Sequence, residues 1–68
     1  MNNDDIRLKI GNRISSLRKE RNLSIRELAK LAGVNKSTIV NLEAGRFDAR
    51  LDTLQQIGHV FGKEIDFV

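Results

Sequence analysis

The strongest constraint in this 68-residue chain is the punctuation between Leu23 and Gly45. Ser24-Ile25-Arg26-Glu27 has the form of a capping box: the Ser24 oxygen accepts from the third helical amide, and Glu27 reaches back to the Ser24 amide. Leu23 and Leu28 stand at the spacing of a hydrophobic staple around it. Leu28, Ala29 and Ala32 then form an apolar face built partly of small residues, which lets a neighbour come close. Gly33 ends the segment after two or three turns. Val34 is apolar and Asn35 can cap. Lys36 to Glu43 reads as another short helix with Ile39 and Leu42 turned inward, and Gly45 supplies the left-handed position that ends it.

The flanks are helical as well. Ile6, Ile10, Ile14 and Leu17 recur at steps of four, four and three, one face of a helix over roughly 4 to 21. Asp4 and Asp5 lie at its positive end and Arg18, Lys19 and Arg21 at its negative end. Asn22 can take the left-handed conformation that stops it. A loop over Arg46 to Arg50 precedes a fourth helix marked by Leu51, Leu54, Ile57, Val60 and Phe61 and ended by Gly62. The last six residues, Lys63 to Val68, alternate polar and apolar and favour a short strand over a frayed helical turn. The expectation is therefore an all-α, compact four-helix domain with a short C-terminal β-strand, the whole of 1–68 forming one unit.

Composition removes several classes. The chain has no cysteine and one histidine, His59, so no disulfide, thiolate metal site or zinc cage is expected. A core this small without staples is usually helical and often shared with a second copy. Apolar runs of two or three residues are far below the ~20 needed to span a bilayer. The polar, acidic start Met1-Asn2-Asn3-Asp4-Asp5 is the reverse of a secretory leader, so a cytoplasmic protein without a membrane partner is expected. Residues 6 to 50 carry eleven Lys and Arg against four Asp and Glu, a net +7, whereas residues 51 to 68 are at −2. A basic body with a mildly acidic tail fits nucleic-acid binding at one end and self-association at the other.

Two short helices joined by a glycine-containing turn, the second bearing small polar residues, have the pattern of a helix-turn-helix. The run Leu23 to Gly45 resembles the Cro/repressor (XRE-type) DNA-binding family. Leu28, Ala29, Gly33, Val34, Ile39 and Leu42-Glu43-X-Gly45 all stand at the family's spacing, the likeness extends from about Ile10 to Gly62, and the motif proper covers about 24–45. The resemblance implies double-stranded DNA as partner, without a cofactor. It assigns base edges to Lys36, Ser37 and Asn41, with Asn35 and Thr38 nearby, on a free side that also holds Val40 and Ala44. Lys36 suits guanine and Asn41 suits adenine. Phosphate contacts are expected from Ser24 and Arg26 at the start of the second helix and from Arg46 and Arg50 after the third. Many family members have a glutamine where this chain has Ile25, which cannot hydrogen-bond, so more of the anchoring falls to Arg26 and Arg46. In related repressors an arginine of the first helix and the glutamate ending the third form a structural ion pair, and Arg18 and Glu43 match those positions.

No nucleophile elbow, glycine-rich phosphate loop or converging acid–base set is present, so an enzyme is not expected. The sequence reads as a DNA-binding transcriptional regulator, a repressor acting as a homodimer on a palindromic operator. Val60, Ile65, Phe67 and Val68, with the tail 63–68, are the expected dimer contact. The alternative is a protein-interaction module, an antitoxin that neutralises a co-encoded toxin, because Ile65-Asp66-Phe67-Val68 resembles the strand of HipB-type antitoxins.

Overall fold

Asn22 and Gly33 hold positive φ angles of 55° and 71°, Asn22 two residues beyond the end of one helix and Gly33 directly after the next. A computed structural model describes residues 3–46 and 51–62, with four helices in order: α1 (Asn3–Glu20), α2 (Ile25–Ala32), α3 (Lys36–Glu43) and α4 (Leu51–Val60). The all-α fold expected from the sequence is the one observed. The strand expected over 63–68 lies outside the described residues, as do Ile65, Phe67 and Val68 of the expected dimer contact and Arg50 of the expected phosphate contacts.

The helix ends follow one chemical scheme. After α1 the Leu23 amide donates to the Arg18 carbonyl (3.0 Å) and the Asn22 amide to that of Lys19 (3.0 Å), the paired bonds of a Schellman motif. The same pairing closes α2, with Val34 donating to Ala29 (3.0 Å) and Gly33 to Lys30 (3.3 Å). A Cβ on Gly33 would meet nothing within 4 Å. Glycine is needed there for its positive φ, not for space. α3 closes likewise, the Arg46 amide donating to the Asn41 carbonyl (2.8 Å). At the start of α2 both halves of the capping box are formed: the Glu27 amide donates to Ser24 Oγ (3.0 Å), and the Ser24 amide donates to Glu27 Oε1 (2.8 Å).

Three packed interfaces join the helices: α1 on α3, α2 on α3, and α2 on α4. Ile14 and Leu17 of α1, Leu28, Ala29 and Ala32 of α2, Ile39 and Leu42 of α3, and Leu54, Ile57 and Phe61 from the α4 region form the buried core. Ile10, Leu23, Ile25, Val34 and Val60 pack around it half-buried. Ile6 continues the apolar face of α1 but is exposed. The cause is length. α1 has 18 residues against eight in α2 and α3 and ten in α4, so its first turns run past the core. Arg21 covers the other end of the core, its guanidinium carbon 5.0 Å from the centre of the buried Phe61 ring. No helix among the described residues is long and apolar enough to cross a membrane.

Candidate nucleic-acid interface

α3 has two faces of opposite character. Ile39 and Leu42 are buried, Thr38 and Glu43 are half-buried, and Lys36, Ser37, Val40, Asn41 and Ala44 are exposed. At about 100° per residue the exposed positions form one continuous stripe, with 36, 40 and 44 in line and 37 and 41 beside them. Lys36, Ser37 and Asn41 therefore share a face, as the sequence suggested. Thr38 sits at its edge, turned partly inward.

What fixes that face outward is the seat of α3 on α1. Gly11 is buried, and a Cβ there would collide with the Leu42 carbonyl oxygen and come 3.0 Å from that of Glu43. Two turns further along α1, Arg18 grips Glu43 from the side. Its Nε donates to Glu43 Oε2 at 2.7 Å and its Nη2 to Oε1 at 3.0 Å, a bidentate fork. The remaining Nη1 donates to the Leu23 carbonyl at 2.9 Å, which carries the same guanidinium into the turn before α2. Both side chains retain only 13% of their exposure, and the Glu43 partner holds the Arg18 pKa above its ordinary value, against the opposing effect of burial. One arginine thus joins the end of α3, the end of α1 and the lead-in to α2. Its pairing with Glu43 was readable from the matched positions, but the bond to Leu23 was not. The sequence sign of the Gly11 seat is weak: a glycine between Ile10 and Ile14 inside a helix costs stability relative to alanine and so points to a packing reason.

The polar residues expected to meet phosphate are at two ends. Ser24 and Arg26 are exposed at the start of α2, and Arg46 is exposed immediately beyond α3. The Ser24 oxygen accepts from the Glu27 amide, which leaves its hydroxyl proton to donate outward. The hydrogen bond from the Ser24 backbone amide, followed by the contact with its side chain, pulls the Glu27 carboxyl below its ordinary pKa. Asn35 departs from the capping role open to it. It occupies the N-cap position of α3 in an extended conformation, yet its side chain makes no capping bond. In this exposed turn water can satisfy the first amides, so the amide group of Asn35 stays uncommitted.

A protein-family model described as helix-turn-helix matches residues 14–68, most of the chain. The protein is an XRE-type helix-turn-helix protein. An uncharacterized HTH-type transcriptional regulator, y4mF, of Sinorhizobium fredii is 41% identical over 59 residues, covering 87% of this chain and 78% of that one. An uncharacterized HTH-type transcriptional regulator of Archaeoglobus fulgidus is 39% identical over 54 residues, covering 79% and 76%. The immunity repressor protein of Bacillus phage phi105 is 30% identical over 61 residues, 90% of this chain but 42% of the phage protein. No solved structure gives a significant match. Within the helix-turn-helix, α2 is the supporting helix and α3 holds the position of the recognition helix. Among the described residues no cluster of three or more His, Cys, Asp or Glu could hold a metal ion.

Proposed function

We propose that this helix-turn-helix protein is a sequence-specific repressor that binds a pseudo-palindromic operator as a homodimer. The observation that carries the reading is the exposed stripe of Lys36, Ser37 and Asn41 on a helix whose opposite side is buried and clamped to α1. Lys36 and Asn41 read base edges, with Ser37, Thr38 and Asn35 beside them. Ser24, Arg26, Arg46 and Arg50 contact phosphate, and Arg18 with Glu43 holds the scaffold. The net +7 over residues 6 to 50 supplies the nonspecific attraction to the backbone. The relatives' names, an immunity repressor and two transcriptional regulators, favour regulation of transcription. Val60, Ile65, Phe67 and Val68 form the contact between copies. The toxin-neutralising alternative draws on the tail alone, and no observation among the described residues favours it.

Selection of bound sequences from random duplex DNA tests the proposal. Enrichment of two inverted half-sites with centres about one helical turn, ~34 Å, apart is the expected result. A single unpaired half-site overturns the homodimer, and failure to enrich any sequence overturns specific recognition.

A further inference from the structure

Four large apolar side chains are exposed among the described residues: Ile6, Leu8, Leu31 and Val40. Ile6 belongs to the first turns of α1, Leu8 lies beside Gly45 just after α3, and Leu31 lies on the outer side of α2. Val40 is different, because its neighbours on the surface are the polar residues of the α3 stripe. It stands one turn after Lys36 and one turn before Ala44, flanked by Ser37 and Asn41, and is 44% exposed. No local reason explains it. A β-branched residue is a mediocre helix former, and the core side of α3 is already filled by Ile39 and Leu42. Nor can α3 roll to bury it. The Gly11 contact with the Leu42 carbonyl and the Arg18 fork on Glu43 hold the helix about its axis.

We infer that Val40 is a specificity-determining residue whose isopropyl group packs on the C5 methyl of a thymine in the major groove. This rests on the reading of α3 as the base-reading helix. The occupant follows from the surroundings. Lys36 and Arg46, exposed at either end of α3, favour a polyanion over an apolar protein surface. In the major groove of a duplex the thymine methyl is the one apolar group on a base edge. Lys36 and Asn41 offer hydrogen bonds to purines, and Val40 between them offers none. The stripe therefore has a polar–apolar–polar order and selects a T·A pair beside the purine positions. Ala44, next in line, is too short to serve in the same way at equal distance.

The experiment uses the best duplex from the random selection and replaces each thymine in turn by deoxyuridine, which removes only the C5 methyl. Affinities are measured for the wild type, Val40→Ala and Val40→Thr. Loss of one buried methyl contact should weaken wild-type binding about four-fold at one thymine in each half-site. Val40→Ala should bind the unmodified site more weakly and be insensitive to uracil there, whereas substitutions at other thymines should affect both proteins alike. Val40→Thr, which keeps one methyl, should fall between them. Because Val40 is on the surface, thermal unfolding should be near wild type in both variants. If the wild type selects a site but no uracil substitution distinguishes it from Val40→Ala, the role of Val40 is overturned while specific recognition by α3 stands. If the wild type selects no site, both fall together.

Discussion

Gly11 of α1 lies directly against the carbonyl oxygen of Leu42 on α3, with no room between them for a methyl group. The two helices therefore meet backbone to backbone at one point, and everything that α3 presents outward is referred to that point. Seven residues later on α1, Arg18 holds the Glu43 carboxylate, so the side chain next to the contact is fixed as well. A recognition surface needs its side chains held by a rigid support, and here the support is a glycine and a bidentate ion pair.

Gly11→Ala isolates the contact. Alanine is the better helix former by about 1 kcal/mol, so on propensity alone the substitution stabilises. The collision with the Leu42 carbonyl acts the other way and falls on backbone, which cannot rotate aside. Net destabilisation of about 1–3 kcal/mol is expected. Asn12→Ala, one residue along on the exposed side, should be neutral or slightly stabilising. Urea unfolding of the two variants checks the contrast, and equal midpoints for both would show that the helices separate at little cost.

Arg18→Ala removes a fork and the bond to the Leu23 carbonyl together and leaves Glu43 largely desolvated. The expected loss is about 2–4 kcal/mol, below the figure for a wholly buried pair because some solvent reaches both partners. Arg18→Lys should recover little of it, since one ammonium cannot span the carboxylate and the carbonyl. A double-mutant cycle with Glu43→Gln should give a coupling energy of the same sign. Full rescue by lysine would mean that charge alone matters there.

The capping box predicts a pH dependence. Ser24 holds the Glu27 carboxyl below its usual value of 4.5, so the folded state binds this proton less readily than the unfolded state. The stabilisation is present in full above that value and is lost as pH falls through the lower folded-state pKa. The difference in melting temperature between wild type and Glu27→Gln should therefore shrink on acidification through this window. A difference independent of pH would show that the ionised carboxylate is not what caps α2.

On DNA, Lys36→Ala and Asn41→Ala should each cost about 1–3 kcal/mol on the selected site and relax the base preference at one position. Arg46→Ala should weaken binding to all sequences and lower the salt slope by about one. Titrations at several salt concentrations separate the two behaviours. The same uniform loss for Lys36 and Arg46 would move Lys36 to the phosphate contacts.

Deleting residues 64 to 68 should leave a folded domain, because Ile14, Leu17, Leu28, Ile39, Leu42, Ile57 and Phe61 already pack into one buried core. The truncated chain should sediment as a monomer at low micromolar concentration and bind a full operator weakly. Persistence of the dimer would place the contact between copies elsewhere.

The sequence by itself determined the ends of the helices. The Ser24–Glu27 box, the left-handed Asn22 and Gly33, and the steps between Ile10, Ile14 and Leu17 all depend on atoms within about five residues of one another, so their chemistry is written locally. The matched positions of Arg18 and Glu43 also allowed a long-range pair to be anticipated. Only the tertiary structure decided that Gly11 is a seat for α3 and that Ile6 falls beyond the core. It also decided how far Val40, on the outward side of α3, stays exposed beside Lys36 and Asn41. These outcomes depend on where helices of unequal length cross and on how α3 is turned about its axis. Both are set by packing between residues some thirty positions apart, which no local pattern specifies.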